Sequence, residues 1–158
     1  MRVSRCLRRV CQVLLLCVIG VYCAYGAETL DLTRAVIVTP DDSHVVATAT
    51  RMLREEVAKR TAITLPSAAT LPGGDGPIIL LCRKEHIPEN LRGLAADTTV
   101  PESAEGFAIA VHANAKPPAV MLIGQYERGV LFAAGRLLLQ LRMAPGRIEV
   151  ASDYRLST

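Results

Sequence analysis

The chain has 158 residues, 18 Lys+Arg against 15 Asp+Glu, and a formal net charge of +3. Four of the arginines (Arg2, Arg5, Arg8 and Arg9) lie in the first nine residues, which hold no acid; without residues 1–26 the balance is 14 basic against 15 acidic, a net −1. The excess of positive charge therefore belongs to the leader, and it does not indicate a nucleic-acid partner.

Residues 1–26 read as a secretory signal. "MRVSRCLRR" is a charged n-region, and "VCQVLLLCVIGVYCAYGA" is an apolar run with Gln12 as its one strongly polar side chain. Cleavage after Gly26 leaves small Ala24 and Gly26 at the −3 and −1 positions. The run from Val10 to Ala27 has 18 residues, close to the roughly 17–25 that span a bilayer. An uncleaved anchor is therefore the alternative, and it is the one route by which this chain would meet a membrane. The expected location is secreted or periplasmic. Cys6, Cys11, Cys17 and Cys23 all fall in the leader, so Cys82 has no internal disulfide partner.

Residues 27–33 are expected to be a flexible N-terminus. "AVIVTP" (35–40) predicts a short strand ended by Pro40. "DDS" (41–43) supplies capping side chains for a helix over 44–60. In that helix Val46, Ala49, Leu53 and Val57 share one face. Glu55–Lys59 and Glu56–Arg60 are i,i+4 pairs on its outer side.

"PSAATLPGGDG" (66–76) is a loop by composition. "PIILLC" (77–82) is a continuous apolar run, the pattern of a central strand buried on both faces. Residues 84–104 are irregular. "GFAIAVHA" (106–113) and "AVMLIG" (119–124) predict two strands joined as an antiparallel hairpin. A second helix spans 126–142, with Val130, Ala133, Ala134, Leu137, Leu138 and Leu141 on a wide apolar face. "RIEVAS" (147–152) reads as a last short strand. This order describes an α/β (α+β) two-layer sandwich, a mixed sheet of four to five strands with both long helices on one face.

No residues of the chain form an assignable catalytic, cofactor-binding or metal-ligating set. Cys82 and His86 are four apart, but metal sites need three or four ligands. Asp41 and Asp42 read as capping groups rather than as a catalytic acid pair. Cys82 reads as a small buried hydrophobe. Arg128 lies near a helix N-terminus, where a cation is mildly unfavourable; it reads either as a solvated side chain or as one half of a salt bridge across an interface. Leu131, Phe132, Leu139 and Met143 are apolar but lie off the core stripe. With Arg128 they form a candidate docking face.

"AVIVTP…ATRMLREEVAKRTAI", "PIILLC", "AEGFAIAV", "VMLIGQYERGVLFAAGRLLLQLR" and "DYRLST" together resemble the N-terminal, domain-2-like, non-catalytic domain of bacterial glycoside hydrolases. The families are the family-twenty β-hexosaminidases and the family-sixty-seven α-glucuronidases. The most specific part is "GQYERGVLFAAGRLLLQLR", and the match covers residues 34–158. The resemblance implies a zincin-like sandwich without a metal site, which packs on a catalytic (β/α)₈ barrel following it. The sequence stops at Thr158, about where that barrel would begin, so the expected reading is an accessory domain truncated before its catalytic half. The expected partner is such a barrel, in cis or in trans. A free-standing glycan- or protein-binding module is the alternative. The scarcity of aromatic residues, with no Trp and two Phe, weighs against stacking on sugar rings.

Overall fold

The computed structural model describes residues 28–158, so the leader and its cleavage site lie outside the described residues. The strands are β1 (Thr29–Asp31), β2 (Val36–Val38), β3 (Ser67–Ala68), β4 (Ile78–Arg83), β5 (Phe107–His112), β6 (Ala119–Gly124), β7 (Arg142–Ala144), β8 (Arg147–Ala151) and β9 (Arg155–Ser157). The helices are α1 (His44–Thr61), the short α2 (Arg92–Ala95) and α3 (Glu127–Gln140).

The main sheet has six strands in the order β3-β2-β4-β6-β5-β9. It is mixed: β3, β2, β4 and β6 pair in parallel, whereas β5 pairs antiparallel with both β6 and β9. β1, β8 and β7 form a separate antiparallel sheet. The expected single sheet of four to five strands is corrected to these two. The 27–33 segment is not a loose terminus, because β1 pairs with β8 and Leu32 is fully buried. Residues 147–152 hold β8 of the small sheet, and the true last strand, β9, follows at the edge of the main one.

β4 alternates between two cores. Ile79 and Leu81 face a cluster that includes Val46, Leu53 and Val57 of α1 and Val130, Ala134 and Leu137 of α3. Ile78, Leu80 and Cys82 face a second cluster with Leu91 and Val100. Both long helices thus cover one sheet face, and the irregular 84–104 segment covers the other. A strand packed on both sides has no polar face to show, which is why "PIILLC" does not alternate.

α1 begins as expected, with a different division of labour. Ser43 Oγ accepts the cap hydrogen bond from the Val45 N–H at 3.2 Å. Asp41 does not cap the helix; its carboxylate turns inward. On the outer face of α1, Glu56 takes both cations, Arg60 at 3.0 Å and Lys59 at 3.8 Å. α3 ends two residues before the predicted limit. Leu141 is still buried against the core, but Arg142, Met143 and Ala144 turn away as β7.

Candidate functional site

The start of α3 is fixed by two glycines, Gly124 and Gly129. A Cβ on Gly124 would collide with the Val130 nitrogen and the Tyr126 carbonyl oxygen, and a Cβ on Gly129 would collide with the Gly106 carbonyl oxygen. The helix can therefore lie directly on the ends of β5 and β6. This approach brings the loop before β5 alongside the helix. Arg128 then reaches Glu105, with Nη2 donating to Oε1 at 2.8 Å.

Farther along, one flank of α3 lines a groove of about 790 Å³ with walls from β5, β9 and α1. Leu131, Phe132, Gly135, Arg136 and Leu139 supply the helix side, and Met52, Phe107 and Leu156 lie across from them. Phe132 is 43% exposed and Leu139 71%. With Tyr126 at the head of α3, they are the large apolar side chains that the described residues leave open to solvent.

Three of the five predicted docking residues, Leu131, Phe132 and Leu139, therefore meet in one groove. Arg128 sits near its rim, paired with Glu105 of the same chain rather than across an interface. Met143 is elsewhere: it lies in β7 opposite Ile148 and packs on the main core. Of residues 84–104, Ser103 lines the groove, whereas the buried apolar side chains of the segment pack on the other sheet face. The far walls were missed in the sequence. Leu156 had a faint signal, since Tyr154 and Leu156 alternate with charged and polar neighbours. Met52 and Phe107 had none, because their place depends on how distant segments pack.

The walls of the groove are mainly apolar. Glu105 is the one acidic side chain lining it, and Arg128 holds that carboxylate. Hydrolysis of a glycosidic bond by the usual route needs two facing carboxyl groups. Arg136, on the helix wall, lies beside Tyr154. Burial pushes the Tyr154 phenol up, and the nearby Arg136 guanidinium opposes this through its charge and a hydrogen bond.

A second polar cluster lies at the C-terminal ends of the parallel strands. The Asp41 side chain is wholly buried. It accepts from Arg83 Nε at 2.7 Å, Arg83 Nη2 at 3.1 Å and the Ser43 N–H at 3.0 Å. Arg83 also touches Glu85 at 2.8 Å and His86 Nε2 at 2.9 Å. Burial raises the Asp41 pKa, but the hydrogen bonds from Arg83 and Ser43 outweigh it and leave the carboxyl below its ordinary value. This is a closed ion pair that ties the start of α1 to the end of β4. The Asp41–Arg83 link spans 42 positions, so no local pattern announces it.

Cys82 and His86 do not converge. Cys82 faces the second core, where burial first and the Asp41 charge second push its thiol up to about 12. Among the described residues no group of three or more His, Cys, Asp and Glu is placed to hold a metal ion. No helix among them is long and apolar enough to cross a membrane.

No protein-family model matches the chain, and no curated protein does so either. Solved structures do. A family GH115 4-O-methyl-alpha-glucuronidase, BtGH115A, described as specific for decorated arabinogalactans, superposes with a TM-score of 0.61 at 12% identity. The match covers 82% of this chain and 18% of that one. CpGH84B superposes at 0.55 with 16% identity, covering 84% and 20%. A mutant Streptomyces plicatus beta-hexosaminidase superposes at 0.51 with 19% identity, covering 84% and 23%. At these identities the likeness establishes the fold. The α-glucuronidase among these three belongs to family 115 and not to the family sixty-seven expected from the sequence. The chain spans less than a quarter of the length of each of the three.

Proposed function

We propose that this chain is a non-catalytic accessory domain of a secreted, carbohydrate-degrading glycoside hydrolase, of the β-N-acetylhexosaminidase or α-glucuronidase type. Its α3 groove seats the catalytic barrel, in cis or in trans. The observation that carries the reading is the groove itself, an apolar surface on the outward flank of a core helix, with Phe132 and Leu139 in solvent. Patches of this kind mark interaction sites more often than stray surface residues do. The fold neighbours support the same reading, because the part of each that matches this chain is a minor part of a much longer protein. The basic and apolar leader supports secretion.

Two measurements test this. A photocrosslinking amino acid placed at Phe132 in the source cells is expected to capture a barrel-type glycoside hydrolase, within the same polypeptide or on another. Capture of unrelated proteins only would contradict the proposal. The purified chain should not cleave aryl glycosides of N-acetylglucosamine or glucuronic acid above a buffer blank. Turnover that survives repurification and is lost on Glu127→Gln would overturn the non-catalytic assignment.

A further inference from the structure

The docking reading leaves open what kind of element the groove takes, and the two interior glycines of α3 answer this. Gly129 is required by the fold, because any side chain there would strike the Gly106 backbone. Gly135 is not, because a Cβ there would meet no atom within 4 Å. Glycine is a poor residue for a helix interior, since it loses more backbone entropy than alanine on ordering. Nothing in this chain compensates at position 135. The residue lies on the groove wall, three positions after Phe132 and four before Leu139, at the middle of the exposed apolar stripe.

Helices pack with axes roughly 8–10 Å apart, and the side chains at the contact set the distance. A glycine at the crossing allows the near end of that range. The surrounding charge narrows the choice of partner. Arg128 is occupied by Glu105, whereas Arg136 is exposed, lies beside the Tyr154 phenol and makes no salt bridge with a carboxylate among the described residues. A second copy crossing α3 on a two-fold axis at Gly135 would set Arg136 close to its own equivalent. Like charges in that position disfavour self-association.

On the docking reading, we infer that Gly135 is the crossing point of an amphipathic partner helix, whose apolar stripe fills the space between Phe132 and Leu139 and whose carboxylate pairs with Arg136. Two stapled helical peptides test this against the purified protein by fluorescence anisotropy. They share one apolar stripe and differ only in flanking Glu or Lys. The Glu peptide is expected to bind roughly tenfold tighter than the Lys peptide, and Arg136→Glu to reverse that preference. Gly135→Ala should raise the melting temperature yet weaken the Glu peptide by roughly tenfold.

Equal binding of the two peptides, or a Gly135→Ala protein that binds as well as the native one, would overturn the inference. So would a concentration-dependent dimer in sedimentation that Gly135→Ala abolishes, since the occupant would then be a second copy. Phe132→Ser with Leu139→Ser separates the two levels of the argument. If that pair abolishes peptide binding and Gly135→Ala does not, the docking surface stands and the helix crossing falls. If neither change matters, both fall.

Discussion

The two ion pairs flanking the main sheet have similar contact distances and opposite circumstances. Asp41 and Arg83 meet at 2.7 Å with the carboxylate wholly buried, whereas Arg128 and Glu105 meet at 2.8 Å with both side chains more than half exposed. The first closes the end of the sheet: every oxygen of Asp41 is matched, and the neighbouring groups are matched to Arg83. The second stands beside an apolar groove that nothing in the described chain fills. Both pairs lie at the same end of the main sheet, where β4 and β6 finish and β5 begins; the first is finished internally, and the second borders a surface left open. The contrast separates a polar group that holds the fold from one that borders a surface.

The sharpest way to break this contrast is to cut each pair. Arg83→Ala leaves the wholly buried Asp41 carboxylate without its guanidinium and should cost about 3–5 kcal/mol. Arg128→Ala removes an exposed pair and should cost about 0–1 kcal/mol. Urea unfolding of the two variants beside the native protein makes the measurement. Comparable losses would show that the exposed pair is structural after all.

Gly129→Ala should fall between these limits, at about 1–3 kcal/mol, because the helix must lift off the Gly106 backbone. A melting temperature equal to that of the native protein would contradict the close packing of α3 on the β5–β6 ends.

Acid sharpens the same comparison. The folded pKa of Asp41 lies below its ordinary value of 3.8. Its contribution is therefore complete well above pH 3.8, and it is lost as pH falls through the lowered folded value. Native stability should drop over that interval, and Asp41→Asn should flatten part of the drop. An unchanged pH profile in the variant would remove Asp41 from the account.

Cys82 gives the smallest effect. With its thiol at about 12 and no exposure, it should resist thiol reagents in the native protein and react fully in urea. The rate should follow the population of open molecules. Rapid native labelling would mean that the second core is open.

Much of the frame was legible in the sequence because burial leaves a pattern. β4 and β6 read as strands because both of their faces are covered, and α1 and the inner face of α3 read as helices because Val46, Leu53, Val130 and Leu137 keep helical spacing. β1, β7 and β9 were not legible: each has three residues, too few to show a period. β7 was further hidden because buried Leu141 continues the stripe of α3 past the true end of the helix. Half of the groove could be read, since Leu131, Phe132 and Leu139 are visibly off the core stripe. Met143 fits the same rule and fails it, because the chain leaves the helix before that residue. The Asp41–Arg83 pair was hidden by distance, and capping chemistry gave Asp41 a plausible local use it does not have.

The central claim is that the outer flank of α3 is a surface kept for a partner and not a part of the core. Replacing both Phe132 and Leu139 with Ser and following thermal unfolding together with hydrophobic-dye binding tests it most directly. The account predicts a cooperative transition within a few degrees of the native one, with dye binding by the folded protein reduced. Loss of the cooperative transition would show that both side chains are core residues, and the docking surface would be wrong.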